Sequence, residues 1–312
     1  MTEQEVQITA NGNILAGTLT LPDSGDEYPV CLMIHGSGPV DRDENIKVQK
    51  LNVFNTIAHR LAEHGVASLR YDKRGCAKST GDHLRASHQD TVDDAGACID
   101  FLLTAENISI ERIVLLGHSE GTIIAPQLAP RYPDMMGLVL ICPFVQPLED
   151  ILMNQARHMD EAAKHLTGIS GITTRTIFCL GGGAIAGQQR LIGKLKKNDA
   201  PTFRFLFRRI PANSLRGLMA LDPPAIYANV ECPTLIIAGE KDIQCDPNDV
   251  EMIENQIQAE TESHIIPDLT HILRRDPGEP NVFHYTKIMN DPLDEEVLSL
   301  IVDWFQARSI AG

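Results

Sequence analysis

The pentapeptide Gly117-His118-Ser119-Glu120-Gly121 lies between two segments of different character. Before it runs Arg112-Ile113-Val114-Leu115-Leu116, a short apolar stretch with the look of a buried strand. After it, from Gly121 to Leu128, the chain is again apolar but reads as a helix. A chain that passes from strand to helix through so few residues turns sharply. Side chains flanking the apex would collide, so glycine is needed on both sides of the serine. The apex residue is then held out at the carboxyl end of a sheet.

The surrounding sequence supplies that sheet. Val6–Ala10 and Ile14–Leu21 alternate in polarity around Asn11-Gly12, a hairpin signal. Pro29–Ile34 is a continuous apolar run, as for a strand covered on both faces. It ends in His35-Gly36-Ser37-Gly38-Pro39, a loop signal. Residues 51–64 have a helical period that Gly65 stops. Strands at Val66–Tyr71, Arg112–Leu116 and Gly137–Cys142 alternate with helices at Asp93–Thr104 and Gly121–Leu128. Such alternation implies βαβ units and a mostly parallel sheet with helices on both faces, an α/β fold.

The rhythm breaks near Pro147. The spacing predicts helices over Ile151–Leu166, Gln188–Lys197, Thr202–Ile210 and Ser214–Leu221, and no strand. Alternation resumes with a strand at Thr234–Ala238, a helix at Val250–Ile257, a strand at His264–Ile266 and a closing helix at Glu295–Gln306. The expected organisation is a core of residues 1–146 and 227–312 interrupted by a helical insertion over residues 147–226, too long for a loop.

Charge narrows the partners. A formal charge of −15 and a pI near 5.1 argue against nucleic acid and against anionic lipid. The seven cysteines show no C-x-x-C pair, and several sit in apolar runs, so a reducing cytoplasm fits best. The acidic start MTEQEVQITA has no signal-peptide pattern and no run is long enough to span a membrane, so the whole chain is expected in the cytoplasm.

A serine hydroxyl needs a base before it attacks. In a strand–turn–helix elbow the partners follow in the order acid, then histidine. Asp242 ends the turn Gly239-Glu240-Lys241-Asp242 after the strand TLIIA and is the expected acid, with Asp246 in reserve and Glu240 a weaker third choice. His271 follows the strand HIIP in Asp268-Leu269-Thr270-His271 and is the expected base; His264, inside that strand, reads as a packed or surface residue. An oxyanion needs backbone N–H donors. Glu120 is one candidate and Ser37 the other, with Gly38 as the alternative.

His35 is expected to hydrogen-bond within its loop and hold its shape. Tyr71-Asp72-Lys73-Arg74-Gly75 reads as a salt-bridged loop bracing the oxyanion turn. The Glu120 side chain could line the pocket or pair with a basic residue. Gly181-Gly182-Gly183 lacks a phosphate-loop context and reads as a flexible or closely packed piece of the insertion. His83 with His88, and His158 with Asp160 and Glu161, lack metal-site spacing, so neither metal nor organic cofactor is expected.

HGSGPVDRDE, RYDKRG with its Lys78-Ser79-Thr80-Gly81 tail, GHSEG, GEKD and LTHIL occur in the order found in capped bacterial α/β-hydrolase esterases, which the chain resembles over most of residues 6–308. The resemblance excludes the insertion. It implies the α/β-hydrolase fold, carboxylesterase activity on small acyl esters and a helical cap over the site. Cys76-Ala77 departs from it, standing where related loops often carry a second glycine. The expected partner is a small-molecule ester. Ile177–Leu180 and Phe203–Phe207 could line an acyl site, although at least half of them are more simply insertion core. The same residues could cleave a thioester, an amide or a carbon–carbon bond. A non-catalytic binding protein on this scaffold would want a missing catalytic residue, and none is missing.

Overall fold

In the computed structural model, residues 1–23, 28–47, 49–105, 108–165, 182–281 and 284–309 are described. β1 (Thr2–Ala10) and β2 (Asn13–Leu21) pair antiparallel through the Asn11-Gly12 turn, whose residues have φ of 46° and 78°. Two positive φ values match the right-handed twist of the flanking strands, which is why Asn-Gly suits this turn.

β3 (Val30–Ile34), β4 (Ala67–Tyr71), β5 (Ile113–His118) and β6 (Gly137–Ile141) follow in chain order. After a separate hairpin of β7 (Phe203–Phe205) and β8 (Arg208–Ile210) come β9 (Thr234–Gly239) and β10 (Thr261–Ile266). The main sheet has the order β1-β2-β4-β3-β5-β6-β9-β10. β2 meets β4 antiparallel, and every pairing from β4 onward is parallel.

The central strands are buried along their whole length, which explains their unbroken apolar sequences. Alternate side chains feed opposite layers. Leu32 and Ile34 of β3 join the cluster containing α2 (His88–Leu102) and α3 (Gly121–Leu128), while Cys31 and Met33 join the one containing α1 (Val53–Glu63).

Between β6 and β9 the chain leaves the sheet. α4 (Leu148–Lys164) and α5 (Gly183–Lys197) pack together, the β7–β8 hairpin follows, and α6 (Ala212–Met219) and α7 (Pro223–Tyr227) lead back. The helix expected over Thr202–Ile210 is instead this hairpin, with Phe203 opposite Ile210 and a turn at Leu206-Phe207. Its arginines are spaced in a way that mimics helical periodicity. Burial nonetheless alternates along the strand: Phe203 is buried beside Leu195 and Ala212 while Arg204 is exposed.

α3 contains Pro126, which has no N–H to give the carbonyl of Thr122. The Tyr227 hydroxyl lies 3.1 Å from that carbonyl and 3.1 Å from the carbonyl of Phe144, so the end of the insertion bonds to the core where a helix bond is missing. α8 (Asp249–Glu254), α9 (Tyr285–Ile288) and α10 (Glu295–Ser309) complete the chain. No helix among the described residues is long and apolar enough to cross a membrane.

Candidate active site

Ser119 occupies the apex between β5 and α3 with φ of +52°, in the left-handed region that costs a side-chain-bearing residue about 1 kcal/mol. The two glycines make this possible. A Cβ on Gly117 would lie 2.3 Å from the carbonyl oxygen of Gly121, and one on Gly121 would lie 2.1 Å from that of Ile34. Neither approach is sterically allowed, so the crowding read from the sequence is real. Ser119 faces a cavity of about 460 Å³ that His271 also lines.

His271 follows β10, and its Nδ1 is 2.7 Å from Oδ2 of Asp242, which follows β9. Both residues are buried. The other Asp242 oxygen accepts the backbone N–H groups of Gln244 and Cys245 at 2.8 and 3.0 Å. Burial alone would raise the Asp242 carboxyl; the His271 ring and these two N–H groups outweigh it and keep the pKa below the usual carboxylate range. Of the three acids considered from sequence, Asp242 alone is bonded to His271. Asp246 accepts from Asn248, and Glu240 accepts the N–H of Asp268.

The charged loop after β4 does brace the neighbouring turn. Lys73 Nζ donates to the carbonyl of Gly36 at 2.6 Å and pairs with Glu120 at 3.2 Å. The Gly36 carbonyl and the Ser37 N–H share one trans peptide and point opposite ways, so this contact turns the Ser37 N–H away from Lys73. Asp72 takes a two-pronged bond from Arg42, and Arg74 pairs with Asp94 and Asp90. Ala77, in the pair that departs from related loops, has φ of +43°, a conformation that favours glycine.

His35 differs from expectation. It is fully buried and neither ring nitrogen has a hydrogen-bond partner among the described residues. Its ring meets Tyr71 edge-on at 4.6 Å and lies 5.7 Å from Phe54. Burial, aided by the nearby Lys73 charge, pushes its pKa down to about 4, so it acts as a neutral packing ring.

Two residues that the sequence reading did not single out complete the site. Glu44 (φ +62°) accepts the Gly36 N–H at 2.7 Å through Oε1, and its Oε2 lies 2.7 Å from Nδ1 of His118. His118 Nε2 in turn lies 3.1 Å from the backbone oxygen of His271. Glu44 is eight residues past Gly36 in an irregular loop, with no periodicity to announce it.

The cavity's apolar wall includes Phe144, Leu148, Ile151, Leu152, Leu215 and Leu218. Phe203–Phe207 does not line it: Phe203 packs inside the insertion, and Phe207 is fully exposed. Ile177–Leu180 and Gly181 lie outside the described residues. Gly183 is closely packed, since its Cβ would meet the Asp160 carboxylate, which accepts the N–H groups of Ala184 and Ile185 at the start of α5.

Among the described residues, two trios bring metal-ligand atoms within 4.8 Å: His118, Cys142 and His271, and Asp242, Cys245 and His271. Both share His271, whose Nδ1 faces Asp242, and both His118 nitrogens already have partners.

A largely parallel sheet, a serine at a strand–turn–helix apex, and an aspartate and histidine after the last two strands define an α/β-hydrolase fold. The serine aminopeptidase S33 family matches residues 48–278, and the chain belongs to that family; it is a serine hydrolase. It is similar to esterase EstD of Thermotoga maritima, at 27% identity over 303 residues, 96% of this chain and 67% of that protein. Among solved structures it resembles Est1E of Butyrivibrio proteoclasticus with ferulic acid bound, with a TM-score of 0.65, 18% identity and coverage of 98% and 100% of the two chains. It also resembles a thermophilic esterase of Thermogutta terrifontis, with a TM-score of 0.56, 21% identity and coverage of 98% and 99%.

Proposed function

We propose that the chain hydrolyses carboxylic esters of small to medium acyl groups through an acyl-enzyme. The observation that carries this reading is Ser119, on its elbow, sharing one cavity with a His271 ring that buried Asp242 holds at 2.7 Å. His271 takes the Ser119 proton as the hydroxyl oxygen attacks the ester carbonyl. The N–H groups of Ser37 and Glu120 receive the negative charge that develops on the carbonyl oxygen. His271 then gives its proton to the leaving alcohol. Water repeats the sequence and frees the acid, while Asp242 keeps the imidazole in the working tautomer. No step needs a metal or an organic cofactor.

Residues 147–226 act as a cap, with α4 and α6 supplying an apolar wall for the acyl chain. The family name includes aminopeptidases, which must anchor a terminal ammonium. Among the described residues of the cavity wall, the carboxylates are Glu44 and Glu120, and each already has a cationic partner or donor in His118 or Lys73. This favours neutral esters, as do relatives that are esterases.

The test is fluorophosphonate labelling beside p-nitrophenyl esters of graded length and aminoacyl anilides. Labelling at Ser119 with a chain-length optimum supports the reading. Ser119→Ala should lower ester turnover by about 10⁴-fold or more with unchanged circular dichroism. A variant with wild-type turnover would sink it, and turnover of anilides but not esters would move the assignment to peptides.

A further inference from the structure

A loop carboxylate and the residue before the nucleophile make a connection that the reaction above does not use. Glu44 reaches the oxyanion loop through the Gly36 N–H and reaches β5 through His118, which reaches the backbone of the base loop at His271. All three residues are buried. A carboxylate only accepts hydrogen bonds, and so does a carbonyl oxygen. With an ionised Glu44 on one ring nitrogen and the His271 carbonyl on the other, both His118 nitrogens must be donors, so the ring is an imidazolium.

We propose that Glu44 and His118 form a charged positioning couple that fixes the oxyanion loop and the His271 loop relative to each other. Neither residue exchanges a proton with substrate. The couple sets where the Gly36–Ser37 segment and the His271 backbone stand on either side of Ser119. Its effect therefore falls on the transition state rather than on substrate capture. The titratable groups around His118 are Glu44 from the loop after β3, Asp242 and His271 from the loops after β9 and β10, and Cys142 from the end of β6.

Electrostatics agree with the geometry. Burial would lower the His118 pKa, but the Glu44 charge and hydrogen bond override it and raise the pKa above the usual histidine value. Burial would likewise raise Glu44, and the His118 charge and the Gly36 N–H override it in the opposite direction. The cation is held by its carboxylate, with its ring centroid 5.1 Å from that of His271.

The proposal rests on the ester-hydrolase reading, and the experiment separates the two. The wild type, Glu44→Gln, His118→Asn and the double variant are compared on one p-nitrophenyl ester, with fold checked by circular dichroism. Each single variant should lose about 10- to 100-fold in kcat while KM stays within about threefold, because small misplacements of a reacting constellation act at that scale. The double variant should be no slower than the slower single one, the signature of two residues acting as a unit. In ¹⁵N-histidine spectra of the wild type, both His118 nitrogens should remain protonated at pH 7.5.

Folded Glu44→Gln with wild-type kcat would overturn the couple, and so would a His118 ring that is neutral at pH 7.5. The spectrum of the wild type decides the matter even where a variant does not fold. A wild type without ester turnover would instead overturn the function proposed above.

Discussion

The sheet and the insertion solve different problems with the same chain. In β3, β5, β6 and β9 every residue is buried, and Gly117, Gly121 and Gly239 at the ends of β5 and β9 tolerate almost no added atom. In the insertion, α4 buries four of 17 residues and α5 two of 15, around a small core of Leu195, Phe203 and Ala212. The first region holds Ser119, Asp242 and His271 in a closely packed frame. The second supplies an apolar wall, for which general shape is enough. Substitutions should therefore be costly in one and cheap in the other.

The sharpest way to break this comparison is Gly121→Ala. Its methyl would fall 2.1 Å from the Ile34 carbonyl oxygen, so β3 or the elbow must move. Loss of folded protein or a drop of at least about 3 kcal/mol in urea unfolding is expected, at the large end for single changes. A stable, active variant would show the elbow to be far softer than its geometry.

His35 tests the same region through pH. Its native pKa is about 4 against an ordinary 6.5, so between those values the unfolded chain binds a proton that the folded one refuses. More protons bound in the unfolded state means stability rises with pH. His35 thus imposes no penalty above pH 6.5, and a penalty on the order of 3 kcal/mol develops as pH falls towards 4. His35→Phe should flatten that part of the urea-stability profile relative to wild type. Parallel profiles would mean that the ring is hydrated.

Tyr227→Phe sits at the join. It removes the hydroxyl shared by the Thr122 and Phe144 carbonyls and should cost about 1–2 kcal/mol. A neutral result would mean that water substitutes at the Pro126 gap. Smallest of all should be Phe207→Ser at the exposed hairpin tip, within about 0.5 kcal/mol by thermal melting. A large loss there would show that the tip is buried against something in solution.

The same contrast explains what could be read in advance. That Ser119 stands on an elbow and that Asp242 and His271 meet was legible because the elbow follows an apolar strand and the other two residues sit in the turns after the last two strands, where chain order and steric demand leave marks. The Lys73 brace was legible as a charge cluster after a strand. Glu44 was not, because its contacts depend on a loop that folds back over Gly36, and one of three carboxylates in VDRDE looks like surface. His118 was hidden inside the motif that advertised its neighbour. His35 was misjudged in detail because a histidine in a loop suggests hydrogen bonds, whereas the surrounding Tyr71 and Phe54 rings make it a packing residue. In the insertion, Thr202–Ile210 reads as a helix because nine residues admit both periods, and only the burial of Phe203 against neighbouring helices selects the hairpin.

Lys73 has a consequence for anyone who would re-engineer this protein. One ammonium group holds the peptide next to Ser37 and the side chain of Glu120, so positions 36, 73 and 120 behave as one variable rather than three. A library that randomises them separately will consist mostly of dead clones, because an improved residue at one position meets an unchanged partner at the other two. Leu148, Leu152 and Leu215 share no such partner and can be varied one at a time. Changes to the cavity wall can therefore be combined freely, while changes around Lys73 must be made together.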